Sequence, residues 1–149
     1  MMVAVPLVAK WEGLRTTAYL DTIASPPVWT VCYGETEGVQ PREVRTVEEC
    51  EAGLRRGLVR YRNGLHAYFQ PVTIAERLTP QRDAAFVSLS YNAGIAGIGG
   101  STATRRLNAG DIAGACEAIG WWNKAGGRVI RGLVNRRAEE KALCREGLI

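Results

Sequence analysis

The chain has 149 residues, of which 46% are hydrophobic, and its formal net charge is +4. This composition is ordinary for one globular domain and argues against a disordered chain. The longest apolar run near the start, residues 3–9, is interrupted by Pro6 and is far shorter than the roughly 20 residues of a membrane-spanning helix. His66 is the only histidine, which excludes a zinc site built on two or three histidines.

The first chemical feature is a carboxylate at the end of a short apolar segment. Glu12 follows the run that ends at Trp11 and precedes Gly13, a residue type common just past a helix end. We therefore predict that Glu12 lies in the last turn of a short helix. The helix dipole is negative there, which disfavours an anion and suits a carboxyl group that donates a proton as a general acid.

Two short β-like runs follow, separated by a turn that contains Pro26 and Pro27. The first run ends at Asp21 and the second contains Thr30, so the pattern predicts a β-hairpin. Such a hairpin would direct Asp21 and Thr30 back toward the helix end that carries Glu12. Two carboxylates that face each other across a cleft are the arrangement that glycoside hydrolysis requires.

These residues resemble the active-site signature of the phage-type lysozymes, glycoside hydrolase family 24, in the lambdoid-phage endolysin branch. The family pattern is EG, then AY-x-D, then W-T-x-C/G-Y-G-x-T, and it is matched here by Glu12-Gly13, by 18–21 and by 29–36. The nine-residue step from Glu12 to Asp21 also matches the family.

The resemblance implies a role for each matched residue. Glu12 is expected to be the general acid, Asp21 the carboxylate on the side of the base, and Thr30 the hydroxyl that helps to place the attacking water. Tyr33 is expected to contact the substrate. The chain departs from the family in a longer connection between Asp21 and Thr30, and in Glu35, which stands where many members carry histidine. Glu35 is therefore expected as a third acidic group at the border of the cleft.

Four cysteines are widely spaced, and no C-x-x-C pair supports a structural zinc site. Their order suggests the disulfides Cys32–Cys50 and Cys116–Cys144. Four cysteines allow three pairings, and buried free thiols are an equally compatible alternative.

The middle of the chain predicts a long amphipathic helix that joins two lobes. Thr46 followed by Glu49 is a capping-box signature, and apolar residues recur every three or four positions up to Tyr68. Asn63–Gly64 is the point at which this helix could break. His66 is predicted to be a surface residue of the same helix.

Thr79 and Pro80 predict the start of a further helix, which is apolar nearly all round and is therefore expected at the centre of a helical bundle. Near its end, Asn92 either contacts the substrate, as the resemblance implies, or caps the helix before Gly94. The glycine-rich stretch 94–100 lacks the Gly-Lys-Ser/Thr of a phosphate loop and is predicted to be a loop.

The last part of the chain predicts three helices. Ser101-Thr102 and Asp111 are the caps of the first two, and the final helix covers 133–145 after a break at Gly126-Gly127. The resemblance implies that Arg136 or Arg137 approaches the acidic site and pairs with Glu12. The alternative is an exposed charged face with internal pairs such as Arg136–Glu140. Trp121 and Trp122 are predicted to fill the core.

The predicted fold is α+β and mainly helical: one lysozyme domain with a small hairpin-containing lobe at about 1–62 and a larger helical lobe at about 63–149. By resemblance, the protein is an endolysin that hydrolyses the β-1,4 bond between N-acetylmuramic acid and N-acetylglucosamine in peptidoglycan, with inversion, for host cell lysis. The predicted site comprises catalytic Glu12, Asp21 and Thr30, substrate-binding Asn92 and Tyr33, and no metal or other cofactor.

The expected partner is bacterial peptidoglycan, with no nucleic acid and no stable membrane insertion, and the chain is expected to be a monomer. It is expected to act in the bacterial periplasm after synthesis in the host cytoplasm, by an export route that the sequence leaves open. Two alternatives are a catalytically silent peptidoglycan-binding module on the same fold and a small basic nucleic-acid binder, for which no known motif is present.

Overall fold

A computed structural model describes residues 1–148, so Ile149, the last residue of the predicted helical lobe, lies outside it. In chain order the elements are α1 (Ala4–Glu12), β1 (Arg15–Asp21), β2 (Val28–Cys32), α2 (Val47–His66), a π-helical turn (Thr73–Arg77), α3 (Pro80–Ala93), α4 (Ile95–Gly99), α5 (Thr102–Asn108), α6 (Ile112–Ile119), β3 (Lys124–Ala125), β4 (Arg128–Val129) and α7 (Arg131–Arg145). The chain divides into two compact units, one of Val5–Gly57 and one that combines Met1–Ala4 with the chain from Leu58 onward.

The unit Val5–Gly57 is built around the antiparallel hairpin β1–β2. Tyr19 lies opposite Thr30 and Asp21 opposite Val28, with an irregularity earlier in β1. A third extended segment, Glu43–Arg45, adds to the other edge of β1 through hydrogen bonds from the Ala18 N–H to the Glu43 carbonyl and from the Arg45 N–H to the Thr16 carbonyl. A disulfide joins Cys32, at the end of β2, to Cys50 in the first turn of α2. The buried apolar side chains of this unit are those of Leu7, Val8, Ala18, Val31, Cys32, Tyr33, Cys50 and Leu54.

The other unit is a helical bundle with α3 in its core, as the sequence predicted. The run from Ala84 to Ser90 in α3 is buried at every position. Phe86 packs edge-on against Phe69, with their ring centroids 5.7 Å apart. A second disulfide, Cys116–Cys144, joins α6 to α7. Each fully buried side chain of the size of Phe86 contributes about 1.5–3 kcal/mol of hydrophobic stabilisation.

The predicted N-terminal helix caps are all present. The Thr46 hydroxyl accepts from the Glu49 N–H at 3.1 Å, while the Glu49 carboxylate accepts from the Thr46 N–H at 3.0 Å, which is a complete capping box. Thr79, Ser101 and Asp111 each accept a backbone N–H in the first turn of α3, α5 and α6. Local chemistry therefore sets these four helix starts.

Two glycines mark close packing where the sequence predicted a break or a loop. α2 runs unbroken to His66, and Gly64 within it makes room for a neighbour, since a Cβ atom there would lie 2.8 Å from Cδ1 of Ile95. The stretch predicted as a loop contains α4, in which Gly99 packs so closely against the ring of Tyr68 that a Cβ atom would not fit between them. The loop prediction for 94–100 was wrong for this reason.

Two further side chains differ from their predicted surroundings. His66 is not a surface residue, since its side chain is only 13% exposed and Nε2 lies 2.7 Å from Oδ1 of Asp83. Trp121 does not fill the core: it is 54% exposed, and the guanidinium of Arg106 lies 5.0 Å from its ring centroid. Trp122 is half-buried and packs against the core.

Candidate active site

Glu12 is the last residue of α1, as the sequence predicted. Gly13 follows with φ of +73°, and its N–H donates to the carbonyl of Ala9 at 3.1 Å. The glycine therefore ends the helix in the left-handed conformation that such ends favour. The half-buried carboxyl group of Glu12 is consequently held at the negative end of the α1 dipole.

A tight turn after β2 lies against the Glu12 carboxylate. Val31 and Glu35 exchange two backbone hydrogen bonds of 2.9 Å, which closes the turn, and Cys32 and Gly34 adopt positive φ within it. A Cβ atom built on Gly34 would lie 3.4 Å from Oε1 of Glu12. Gly34, which carries no side chain, therefore presents its backbone to the carboxylate.

Asp21 ends β1 and organises the loop that follows. Its Oδ1 accepts hydrogen bonds from the N–H groups of Ile23, at 3.0 Å, and Ala24, at 3.4 Å. Across residues 1–148, Oδ2 of Asp21 has no hydrogen-bond partner. One oxygen therefore fixes the longer connection between the strands, and the other is available to a water or a ligand.

Thr30 lies on the same face of the hairpin as Asp21. Thr30 is opposite Tyr19, and Asp21 is two residues further along β1, so the two side chains form a diagonal pair roughly 7–8 Å apart. Thr30 is 3% exposed, and its hydroxyl donates to the carbonyl of Val28 at 3.2 Å. Because the hydroxyl proton is engaged there, the oxygen lone pairs remain to accept a hydrogen bond.

Glu35, the additional acidic residue of the motif, is held in a charge cluster. Its Oε2 lies 2.9 Å from Nη1 of Arg45, and Arg45 also pairs with Glu43 at 3.0 Å. The same Glu35 oxygen lies 3.0 Å from the position of a Cβ atom at Gly53 of α2. Glu35 therefore links the turn after β2 to the segment before α2, which gives it a structural role.

The two predicted substrate contacts differ in exposure. Tyr33 is only 8% exposed, so little of its side chain can meet a substrate. Asn92 is exposed in the last turn of α3, and within the described part of the chain its side chain makes no hydrogen bond. Gly94 ends α3 with φ of +99°, while its own N–H donates to the Ser90 carbonyl. The helix end thus does not need Asn92 as a cap.

The paired arginines of α7 are buried, which corrects the alternative of an exposed charged face. Arg136 and Arg137 are 4% and 1% exposed, and both approach Glu140, at 3.5 Å and 2.6 Å. Ser88 of α3 donates to Oε2 of Glu140 at 2.5 Å. Burial raises the pKa of Glu140, while Arg137, Ser88 and Arg136 act in the opposite direction. The pairing of either arginine with Glu12 stays a prediction.

A second polar cluster, which the sequence analysis missed, borders a cavity in the helical unit. Asp83 of α3 accepts from Arg62 at 2.7 Å, and its other oxygen lies 2.7 Å from His66. Burial opposes ionisation of Asp83, but the hydrogen bonds from His66 and Arg62 outweigh it and hold its pKa below the ordinary value. The cavity has a volume of about 360 Å³ and contains none of the predicted catalytic residues. The four-residue spacing of Arg62 and His66, which places both on one face of α2, is the sequence feature from which this cluster could have been predicted.

Solved structures first define the class of the fold. The muramidase domain of SpmX from Asticaccaulis excentricus superposes with a TM-score of 0.83 at 30% identity, over 97% of this chain and 95% of that one. The endolysin from Escherichia coli O157:H7 phage FAHEc1 superposes with a TM-score of 0.82 at 27% identity, over 99% of this chain and 94% of that one. The predicted mainly helical, lysozyme-like fold is confirmed.

Sequence comparison then gives the family. The phage lysozyme family model matches residues 9–140. A relative, the SAR-endolysin of Bacteriophage PS119, is 36% identical over 134 residues, which cover 89% of this chain and 75% of the relative. The chain therefore belongs to the phage lysozyme family. It is a glycoside hydrolase, a muramidase that acts on peptidoglycan, and the catalytically silent alternative is not favoured.

Proposed function

We propose that this muramidase hydrolyses the β-1,4 bond between N-acetylmuramic acid and N-acetylglucosamine with inversion, using Glu12 as the general acid and Asp21 as the second carboxylate. The observation that carries this proposal is the position of Glu12: a carboxyl group at the end of α1, bordered by the side-chain-free backbone of Gly34. The turn after β2 thus brings the second part of the motif beside the proposed acid.

Glu12 protonates the glycosidic oxygen as the bond to the leaving sugar breaks. A general acid of this kind accelerates the reaction by about 10²–10⁴-fold. The match to the phage lysozyme family, which covers this part of the chain, supports the assignment of the acid to Glu12 rather than to Asp21.

Asp21 and Thr30 hold the water that attacks the sugar on its opposite face. Oδ2 of Asp21 accepts a proton from this water, and the lone pairs of the Thr30 oxygen accept its second hydrogen bond. Two features support this division of roles, namely the unused Oδ2 and the Thr30 hydroxyl proton that is directed at Val28. Inversion needs space for the water, so the Glu12 and Asp21 carboxyl groups should be roughly 6.5–9.5 Å apart.

The remaining assignments follow from this reaction. Asn92 contacts the glycan through its exposed amide, and Tyr33 through the small part of its side chain that is accessible. We further propose that the two units form one lysozyme domain and that the protein is a monomer. It acts on the cell wall from the periplasmic side and lyses the host cell.

Product analysis tests the reaction. Purified peptidoglycan is digested, and the new reducing ends are identified by mass spectrometry and their anomeric form by NMR at early times. We expect reducing N-acetylmuramic acid in the α form. Reducing N-acetylglucosamine would contradict the proposed bond, and an initial β product would contradict inversion.

A matched pair of variants tests the general acid. Glu12→Gln should abolish the clearing of cell-wall suspensions and leave the thermal transition in place, because a neutral amide has nearly the same shape. Glu48→Gln, which removes an exposed carboxylate from the same unit, should clear the suspension as the unmodified protein does. Clearing by Glu12→Gln would remove Glu12 from its role.

A further inference from the structure

The hairpin β3–β4 is exposed along its whole length. Asn123 and Ile130 continue the ladder with a hydrogen bond from the Ile130 N–H to the Asn123 carbonyl at 3.0 Å. Gly126 and Gly127, both with positive φ, form the two-residue turn. Every residue from Lys124 to Gly132 is exposed, and the segment includes the apolar side chains of Val129 and Ile130.

This segment combines cations with aliphatic side chains. Val129 is 58%, Ile130 41% and Val134 40% exposed. We define the basic hairpin patch by these three residues and the three exposed cations of the same segment, Lys124, Arg128 and Arg131.

No acidic residue balances these cations in the surrounding chain. The sequence contains no aspartate or glutamate from 118 to 138. The nearest acidic residue on the N-terminal side, Glu117, is paired with Lys141 at 3.2 Å. The patch is therefore positively charged as well as partly apolar, and its partner should be anionic with an apolar layer close to the charge.

We propose that the basic hairpin patch binds the surface of an anionic phospholipid bilayer. Val129 and Ile130 enter the boundary between headgroups and acyl chains, while Lys124, Arg128 and Arg131 contact lipid phosphates. Surface-binding segments have this composition, and each basic residue near an anionic membrane contributes roughly 1 kcal/mol. An anionic wall polymer would satisfy the cations but offers no hydrocarbon layer for the aliphatic side chains.

The binding is peripheral. Among residues 1–148, none of the helices combines the length with the apolar composition needed to cross a bilayer. Two short strands and a helix start can only enter the interface, so the association should be reversible and weakened by salt. It would hold the protein at a membrane independently of its catalytic residues.

Vesicle co-sedimentation tests the proposal. The full chain is mixed with vesicles of phosphatidylcholine alone or of phosphatidylcholine with phosphatidylglycerol, at low and high salt. We expect binding to the phosphatidylglycerol vesicles that falls as salt rises. Equal partitioning onto both kinds of vesicle, or none onto either, would overturn the proposal.

Charge-matched variants separate the patch from net charge. The patch variant is Lys124→Gln/Arg128→Gln/Arg131→Gln, and its partition coefficient should fall about a hundredfold. A control variant removes three exposed cations elsewhere, Arg55→Gln/Arg56→Gln/Arg145→Gln. The control should lose much less affinity, and an equal loss would show that only net charge matters.

The apolar half of the patch and the alternative partner need separate measurements. Val129→Ser/Ile130→Ser should lower vesicle binding about tenfold at a given salt concentration, since the variant loses the two aliphatic groups that enter the bilayer. The lysine–arginine patch variant should bind purified sacculi and hydrolyse soluble peptidoglycan fragments as the unmodified protein does. A loss of either function would assign the patch to the wall polymer and overturn the membrane proposal, while the muramidase assignment would stand.

Discussion

Oε1 of Glu12 lies 3.4 Å from the position that a Cβ atom would occupy on Gly34. The end of α1 and the turn after β2 are 22 residues apart in sequence, and they meet at a position that carries no side chain. This contact explains why an E-G pair and a Y-G pair belong to one motif, because the turn at the second glycine lies beside the carboxylate of the first pair.

Gly34→Ala should therefore impair both stability and catalysis. The alanine must adopt φ of +86°, which costs roughly 1–2 kcal/mol, and its methyl group would contact the Glu12 carboxylate. A methyl group in contact with the general acid should lower kcat about tenfold. Gly38→Ala is the control, since φ there is +68° but no atom lies within 4 Å of the added methyl group. Equal activity in the two variants would contradict the contact.

Asp21→Asn should reduce wall hydrolysis nearly as much as loss of Glu12. The asparagine oxygen can still accept the hydrogen bonds from Ile23 and Ala24, so the loop should keep its structure while the proton acceptor is lost. Glu35→Gln weakens the pair with Arg45 but should retain most activity, measured by turbidity clearing. If Asp21→Asn lost little and Glu35→Gln lost most, Glu35 would be the second carboxylate.

Removal of either disulfide should lower the free energy of unfolding by about 3–3.5 kcal/mol. The loops that they close are similar, with sequence separations of 18 for Cys32–Cys50 and 28 for Cys116–Cys144. Double serine variants of each pair, unfolded in denaturant, measure the two effects independently. A thiol reductant should shift the thermal transition of the unmodified protein downward, and an unchanged transition would contradict a stabilising role.

Glu140→Gln should destabilise the helical unit by roughly 3–5 kcal/mol, because it leaves two buried guanidinium groups without their carboxylate. Glu117→Gln provides the matched control on the surface, where the pair with Lys141 is partly exposed and should contribute less than about 1 kcal/mol. Denaturant midpoints compare the two. Similar midpoints would show that the buried charges are solvated or rearranged.

Low pH should lower the free energy of unfolding, in part because Asp83 becomes protonated. Its pKa is lowered in the folded protein, so its contribution to stability is fully present above the unfolded pKa of about 4 and is lost as the pH falls through the folded pKa. Asp83→Asn should make the loss of unfolding free energy below about pH 4 shallower. Denaturant titrations at a series of pH values measure this slope, and an unchanged slope would assign the acid sensitivity to other carboxylates.

The amino-acid order was informative wherever a structure depends on residues a few positions apart. The capping box of Thr46 and Glu49, the cap at Thr79 and the helix end at Glu12–Gly13 require only neighbouring groups, and all three were predicted. The active-site motif lies in one short stretch, so its residues and their assignment to a family could be recognised without knowing the fold.

Packing between distant segments settled the remaining features. Gly64 and Gly99 gave the usual signals of a break and a loop, but Ile95 and Tyr68 occupy the space that their missing side chains leave. A glycine is compatible both with a turn and with close packing of a neighbouring side chain. The sequence alone does not show which side chain packs against it.

The charged residues also show this difference between local features, which the sequence predicts, and burial, which depends on packing. The order of Arg136, Arg137 and Glu140 predicted a helix with charge pairs, but burial depends on α3, which supplies Ser88 from 52 positions away. His66 of α2 is likewise half-buried, and it lies beside Asp83 of α3. Helix starts and motif residues follow from local hydrogen bonding and chain stereochemistry, whereas burial of a charge or an imidazole follows from which surfaces meet when the chain folds.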